Sequence, residues 1–206
     1  MIGIIDYNAG NITSVERALK SLNIDFILSK NPADLKNCDK LIFPGVGDAE
    51  YAMAQLNQLG FDKFILESVK NNIPLLGICL GSQIIFDFSQ EGETECLGLI
   101  KGQIKHLYKI DESLEQKGFK VPHIGWNNLD VKKECAILKD VPQNADFYFV
   151  HSYVICPQDE SVIAATADYG IQIPAVIHKD NIYACQFHPE KSGEPGLKIL
   201  QNFCNL

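Results

Sequence analysis

The sequence predicts an α/β chain: a central, mostly parallel sheet with helices on both faces, followed by a β-rich second half. Three observations predict it. Up to residue 88, short apolar runs alternate with amphipathic stretches of helical spacing. After about residue 95 the pattern changes to strand-like runs joined by short turns. The 206 residues contain no internal repeat, linker or low-complexity tract, so they are read as one domain, residues 1–206.

Residues 2–6 are a short apolar run and read as the first strand. Residues 11–22 carry Ile12, Val15, Leu19 and Leu22 at helical spacing, with Asn11 or Thr13 as the cap. Residues 26–28 and 41–43 are further buried-strand candidates. Residues 48–59 and 61–70 read as helices, with Gly60 as the stop of the first. An apolar strand over 74–79 is followed by a predicted helix over 80–88. Repetition of strand and helix implies a parallel sheet covered on both faces. Strands are then expected over 103–108, 127–131, 146–155, 162–167, 175–178 and 183–187, with a hairpin turn at Lys179-Asp180-Asn181. A helix over 196–204 closes the chain, with Leu197, Leu200 and Phe203 on one side.

Composition narrows the function classes. Apolar residues make up 46% and charged residues 21%, an ordinary globular balance. With 18 Lys and Arg against 26 Asp and Glu, the net charge is −8, which argues against nucleic acid as a partner. The most apolar stretch, 73–88, is broken by Pro74, Gly77, Gly81, Gln83 and Asp87, so no membrane span is expected. The N-terminus has no cationic region ahead of its apolar run and reads as a strand, not a signal peptide. Seven cysteines form an odd set without a C-x-x-C pair; reduced thiols in a cytoplasmic protein are the simplest reading, with no metal site or cofactor expected.

Three segments carry chemistry. Gly77-Ile78-Cys79-Leu80-Gly81 lies where a buried strand turns into a helix and matches the G-x-nucleophile-x-G elbow, with cysteine as nucleophile. A nucleophile on so tight a crossing needs neighbours without Cβ. The following helix N-terminus is expected to lower the thiol pKa, and the Leu80 N–H to point where an oxyanion would form. A buried cysteine alone is commonly structural; the elbow context gives Cys79 its chemical reading. A thiol nucleophile needs a base, and the base an orienting group. Gln186-Phe187-His188-Pro189-Glu190 supplies both at the end of an apolar strand, with Glu190 setting the His188 tautomer. A zinc deaminase also uses H-x-E, but the P-C-x-x-C it requires downstream is absent. Pro44-Gly45-Val46-Gly47 follows another strand; without a Lys-Ser/Thr pair it is no phosphate loop, and Val46 or Gly47 N–H is the candidate second oxyanion donor.

Together these segments resemble the class I glutamine amidotransferase family, whose triad runs Cys, His, Glu in this chain order. Residues 6–11, 44–47, 77–83, 122–127, 147–153 and 186–192 are similar, in order, to signature segments of the glutaminase subunits of imidazole glycerol phosphate synthases. The resemblance implies the class I amidotransferase fold and hydrolysis of L-glutamine to glutamate and ammonia through Cys79, His188 and Glu190. It places Gly45, Gln83, Glu91, Ser152 and Tyr153 in the glutamine pocket. It also implies a heterodimer with a (β/α)8 barrel cyclase subunit that uses the ammonia in histidine biosynthesis, with His123 and Trp126 at the interface. Two positions depart from the pattern. Asn8 replaces a glycine, which Asn tolerates in a left-handed conformation, and Ser82 replaces a methionine. Ser82 keeps open a related glutaminase subunit supplying ammonia for a modified surface sugar. A cysteine peptidase or thiol hydrolase on a similar sheet, and a regulatory subunit with an inactive triad, are the rival readings.

Overall fold

In the computed structural model, which describes residues 1–206, the N-terminal part alternates strand and helix. It runs β1 (Ile2–Ile5), α1 (Ile12–Ser21), β2 (Phe26–Ser29), β3 (Lys40–Gly45), α2 (Ala49–Leu59), α3 (Phe61–Lys70), β4 (Leu75–Cys79) and the single turn α4 (Leu80–Gln83). Short strands β5 (Phe88–Ser89) and β6 (Thr94–Glu95) lead to β7 (Gly102–His106), α5 (Leu107–Ile110) and α6 (Ser113–Gln116). The remainder is β8 (His123–Asn128), β9 (Asp130–Val131), β10 (Asp146–His151), β11 (Tyr153–Pro157), β12 (Ile163–Asp168), β13 (Gln172–Lys179), β14 (Ile182–Cys185) and α7 (Gly193–Cys204). No helix is long and apolar enough to cross a membrane.

Local chemistry explains the helix ends. Asp48 Oδ1 accepts from Tyr51 N–H at 2.8 Å at the start of α2, and Gly60, at φ 76°, ends it. Asn11 stands at the cap of α1, but its Oδ1 accepts the Ser14 hydroxyl at 3.2 Å instead of a backbone N–H.

Eight strands form the main sheet in the order β2-β1-β3-β4-β14-β13-β12-β9. The first five in that order are parallel, and the last three join in antiparallel fashion. Side chains alternate between two cores, as strand geometry requires. Ile4, Ile42 and Leu76 pack with Val15 and Leu19 of α1 and with Ile199 and Phe203 of α7. Ile5, Leu41, Phe43 and Leu75 pack on the other face with Leu56 of α2 and Ile65 of α3. The late strand β14 inserts beside β4, with Cys185 opposite Ile78. The chain leaving β14 therefore emerges next to the chain leaving β4.

Three expected elements differ. The helix over 80–88 is one turn long, because the carbonyls of Ile84, Ile85 and Phe86 accept N–H groups of residues 97–100 and cannot continue a helical ladder. The helix dipole expected beside Cys79 is thus confined to that turn. The strand over 146–155 is two strands broken at Ser152, β10 pairing with β8 and β11 with β7 in separate small sheets. The strand expected over 127–131 is broken at Leu129: β8 starts at His123 and pairs with β10, while β9 pairs with β12 in the main sheet, and β8 turns His123 inward and exposes Ile124 and Trp126, the reverse of the usual apolar-in pattern.

The crossing between β4 and β3 depends on missing side chains. A Cβ on Gly81 would collide with the Phe43 carbonyl oxygen, one on Gly77 would lie 2.8 Å from Gly81 O, and one on Gly45 would lie 2.6 Å from Gly81 N. These are backbone obstacles, so nothing flexible can move aside. Gly81→Ala is expected to lower the unfolding free energy by about 1–3 kcal/mol, the usual range for overpacking, measured by urea denaturation. An unchanged midpoint would contradict this account of the crossing.

Candidate active site

Cys79 ends β4 at φ 54° and ψ −112°, a conformation that non-glycine residues rarely adopt. Such a residue carries about 1–3 kcal/mol of strain, which the surrounding structure must hold. Ser82 does part of this: its fully buried hydroxyl donates to Cys79 O at 2.6 Å. The residue that departs from the family pattern thus closes the elbow on itself. Only 8% of Cys79 is exposed, and its thiol is directed at Val150 O, 3.9 Å away.

His188 follows β14 and is fixed by its backbone. Its N–H donates to Tyr148 O at 2.9 Å, and its carbonyl accepts the Ser192 hydroxyl at 2.6 Å. Its Nδ1 meets Glu190 Oε1 at 2.7 Å, with both side chains almost completely buried. A carboxylate can only accept, so Nδ1 carries a proton. Nε2 is buried and makes no hydrogen bond in this arrangement. Burial disfavours the imidazolium, but the neighbouring Cys79 sulfur and the Glu190 carboxylate outweigh it and push His188 up to about 10. The folded chain therefore holds this histidine protonated at neutral pH.

Of the predicted residues, Val46, Gly47, Cys79, Leu80, Gln83, Glu91, Ser152, Tyr153 and His188 line one cavity of about 330 Å³. Glu190 stands behind His188, and Gly45 packs against the elbow. Several of these groups are already engaged. Val46 N–H donates to Ala9 O at 2.8 Å and is not free as an oxyanion donor in this conformation; Gly47, at φ 97°, has an N–H without a partner. Ser152 O accepts Leu107 N–H at 3.0 Å, and Tyr153 O accepts Gln83 Nε2 at 2.9 Å. Because Gln83 Nε2 also donates to Gln186 Oε1 at 2.9 Å, its Oε1 is the polar atom left for the cavity. Glu91 Oε2 accepts Ala49 N–H at 3.0 Å at the N-terminus of α2. Burial raises the Glu91 pKa, the Ala49 hydrogen bond opposes that rise, and Asp48 adds to it.

The two interface candidates separate. Trp126 is 59% exposed on β8, beside exposed Ile124. His123 is only 3% exposed and points inward between the Phe149 and Tyr169 rings, so it is no surface contact. Asn8 takes the left-handed conformation its position demands, at φ 66°, and accepts Lys30 Nζ at 2.6 Å. Four cavity residues were not among the candidates: Pro122, Val150, His151 and Lys191. His151 immediately precedes the Ser152-Tyr153 pair, and Lys191 immediately follows Glu190, its ammonium 5.8 Å from the Tyr148 ring centre. Both fall within the segments of resemblance, 147–153 and 186–192, and that placement was the available signal.

A nucleophilic sulfur beside an imidazolium backed by a carboxylate, with backbone N–H groups nearby, can transfer an acyl group and protonate a departing nitrogen. Comparison with known proteins agrees with that chemistry. The model of the family described as glutamine amidotransferase class-I matches residues 3–206. The chain is 46% identical over 207 residues to the imidazole glycerol phosphate synthase subunit HisH of Geobacillus sp. (strain WCH70), covering 100% of this chain and 97% of the relative. It is 44% identical to the HisH subunit of Methanocaldococcus jannaschii, covering both chains completely. Among solved structures, a glutamine amidotransferase superposes with a TM-score of 0.75 at 18% identity, over 100% of this chain and 99% of the other. PurLQS from Thermotoga maritima gives 0.71 at 16%, over 99% and 97%. These structural likenesses show the fold. The family match and the near full-length sequence matches show that the chain belongs to the class-I glutamine amidotransferase family and, within it, to the HisH glutaminase subunits of imidazole glycerol phosphate synthase, enzymes of histidine biosynthesis.

Proposed function

We propose that the Cys79 sulfur attacks the carboxamide carbon of L-glutamine, that His188 protonates the departing nitrogen from Nε2, and that ammonia leaves as the C–N bond breaks. A glutamyl thioester remains. His188, now neutral, takes a proton from water, the hydroxide attacks the thioester, and glutamate leaves as the thiolate reforms. Glu190 holds the imidazole in the tautomer that makes Nε2 the working atom. The observation that carries this reading is the Nδ1–Glu190 contact at 2.7 Å, which commits Nδ1 and leaves Nε2, buried and without a hydrogen bond, as the uncommitted ring nitrogen. The same intact geometry disfavours a regulatory subunit with an inactive triad.

Leu80 N–H and a donor from the 44–47 turn stabilise the oxyanion. Losing one such donor costs about 3–4 kcal/mol of barrier lowering. Gly47 N–H is available at once, whereas Val46 N–H becomes available only when its bond to Ala9 O is exchanged. Gln83 Oε1 and Glu91 receive the α-ammonium. The Ser152 and Tyr153 N–H groups receive the α-carboxylate, since the Ser152 and Tyr153 carbonyls are already bonded within the protein. Gly45 serves by close approach, keeping the turn against the elbow.

The ammonia goes to a (β/α)8 barrel cyclase subunit, which docks on the exposed face of β8 at Trp126 and Ile124 to form a heterodimer. The matched relatives are named as subunits of a synthase, which supports a complex of this kind. Seven unpaired cysteines fit a reducing cytoplasm.

Cys79→Ala is expected to abolish glutamate release in a coupled glutaminase assay; substantial residual activity in pure protein would refute the nucleophile. Glu91→Gln, which removes charge at nearly constant shape, is expected to raise KM for glutamine by about tenfold or more, the loss of roughly one charge-assisted hydrogen bond. An unchanged KM would remove Glu91 from the pocket. Adding the barrel subunit with its nucleotide ligand is expected to accelerate glutamine hydrolysis strongly, and equal rates with and without it would contradict the partner assignment.

A further inference from the structure

Two buried histidines beside the cavity have no part in the chemistry above. His151 Nδ1 lies 2.9 Å from Tyr153 O, and a carbonyl only accepts, so Nδ1 carries the proton. Burial holds His151 neutral, its pKa pushed down to about 3, so its Nε2 is bare. That nitrogen lies 3.1 Å from His123 Nδ1, which must then be the donor. Burial likewise brings His123 down to about 4. Tyr153 O thus fixes the His151 tautomer, and the bare His151 Nε2 fixes that of His123. The His123 ring cannot swing away, being stacked between Phe149 at 4.8 Å and Tyr169 at 4.0 Å.

This chain of bonds ends in the cavity wall. Tyr153 O accepts both His151 Nδ1 and Gln83 Nε2, filling its two lone pairs, and Gln83 is locked with Oε1 as its remaining polar atom. Without the His151 bond, the Tyr153 carbonyl would lose one of the two contacts that orient it, and Gln83 the fixed position of one of its two acceptors. We infer that His151, its ring held by the hydrogen bond from His123 to Nε2, is a positioning residue for the substrate: it orients the Tyr153 backbone and Gln83 amide that receive the amino-acid end of glutamine. The inference rests on the glutaminase reading of this cavity.

Steady-state glutamine kinetics on the full chain, with the barrel subunit present, test it. His151→Leu is expected to raise KM by about tenfold or more while kcat stays within about threefold, the scale of one buried hydrogen bond. His151→Asn, whose amide nitrogen stands where Nδ1 was, is expected to bring KM back to within about threefold of the parent, a rescue that bulk packing alone would not produce. His123→Phe keeps the ring stack and removes only the bond to Nε2; it is expected to raise KM in the same direction, by about threefold or more. An unchanged KM in folded His151→Leu overturns the inference, as does a loss confined to kcat or a failure of Asn to rescue. Should His151→Leu not fold, an unchanged KM in His123→Phe overturns it. A parent chain without glutaminase activity would instead overturn the functional reading on which the inference rests.

Discussion

The kinked exit of β4 sets the terms for the rest of the molecule. Cys79 sits at φ 54° because the chain must reverse against β3 within a few residues, and the reversal is possible only where Gly45, Gly77 and Gly81 present no Cβ to the facing backbone. The Ser82 hydroxyl then ties the turn to the Cys79 carbonyl. Strain held in this way places the sulfur at the cavity wall without a long helix to carry it.

Insertion of β14 next to β4 gives that strained residue its chemical partner. The parallel register of the two strands brings His188 to the same edge, and hydrogen bonds from Ser192 and to Tyr148 fix its backbone. Burial alone would keep the imidazole neutral. The Cys79 sulfur on one side and the Glu190 carboxylate on the other reverse that preference, so a proton is held on the ring beside the sulfur. The cavity's other wall works on the opposite principle: His123 and His151 stay neutral, and their value lies in directional hydrogen bonds. Four of the five histidines in the sequence are distributed among β7, β8, β10 and the end of β14; three of these cluster around the cavity, in two opposed protonation states.

Much of this was legible in the sequence, for identifiable reasons. The strand and helix alternation of the N-terminal part, the Gly60 stop and the Asp180-Asn181 turn each have a local cause, and each appears in the structure. The elbow and the His188–Glu190 contact were legible because a tight crossing needs glycines at short spacing and an H-x-E spacing brings a carboxylate to an imidazole. What was not legible depends on distant backbone. The run 84–86 is apolar enough for a helix, yet its carbonyls are claimed by residues 97–100. Strand β8 exposes its apolar residues and buries a histidine, which defeats alternation rules. The occupied state of Val46 N–H depends on Ala9, far away in sequence, and the His123–His151 contact spans two strands of a small sheet.

The most direct test of the central claim is an imidazole nitrogen NMR titration of His188 in the intact chain and in Cys79→Ala. The account predicts a ring protonated throughout the neutral range that titrates near about 10 in the intact chain, and at distinctly lower pH once the sulfur is removed. A ring that titrates near its ordinary 6.5 in both proteins would show that sulfur, imidazole and carboxylate do not act as one unit.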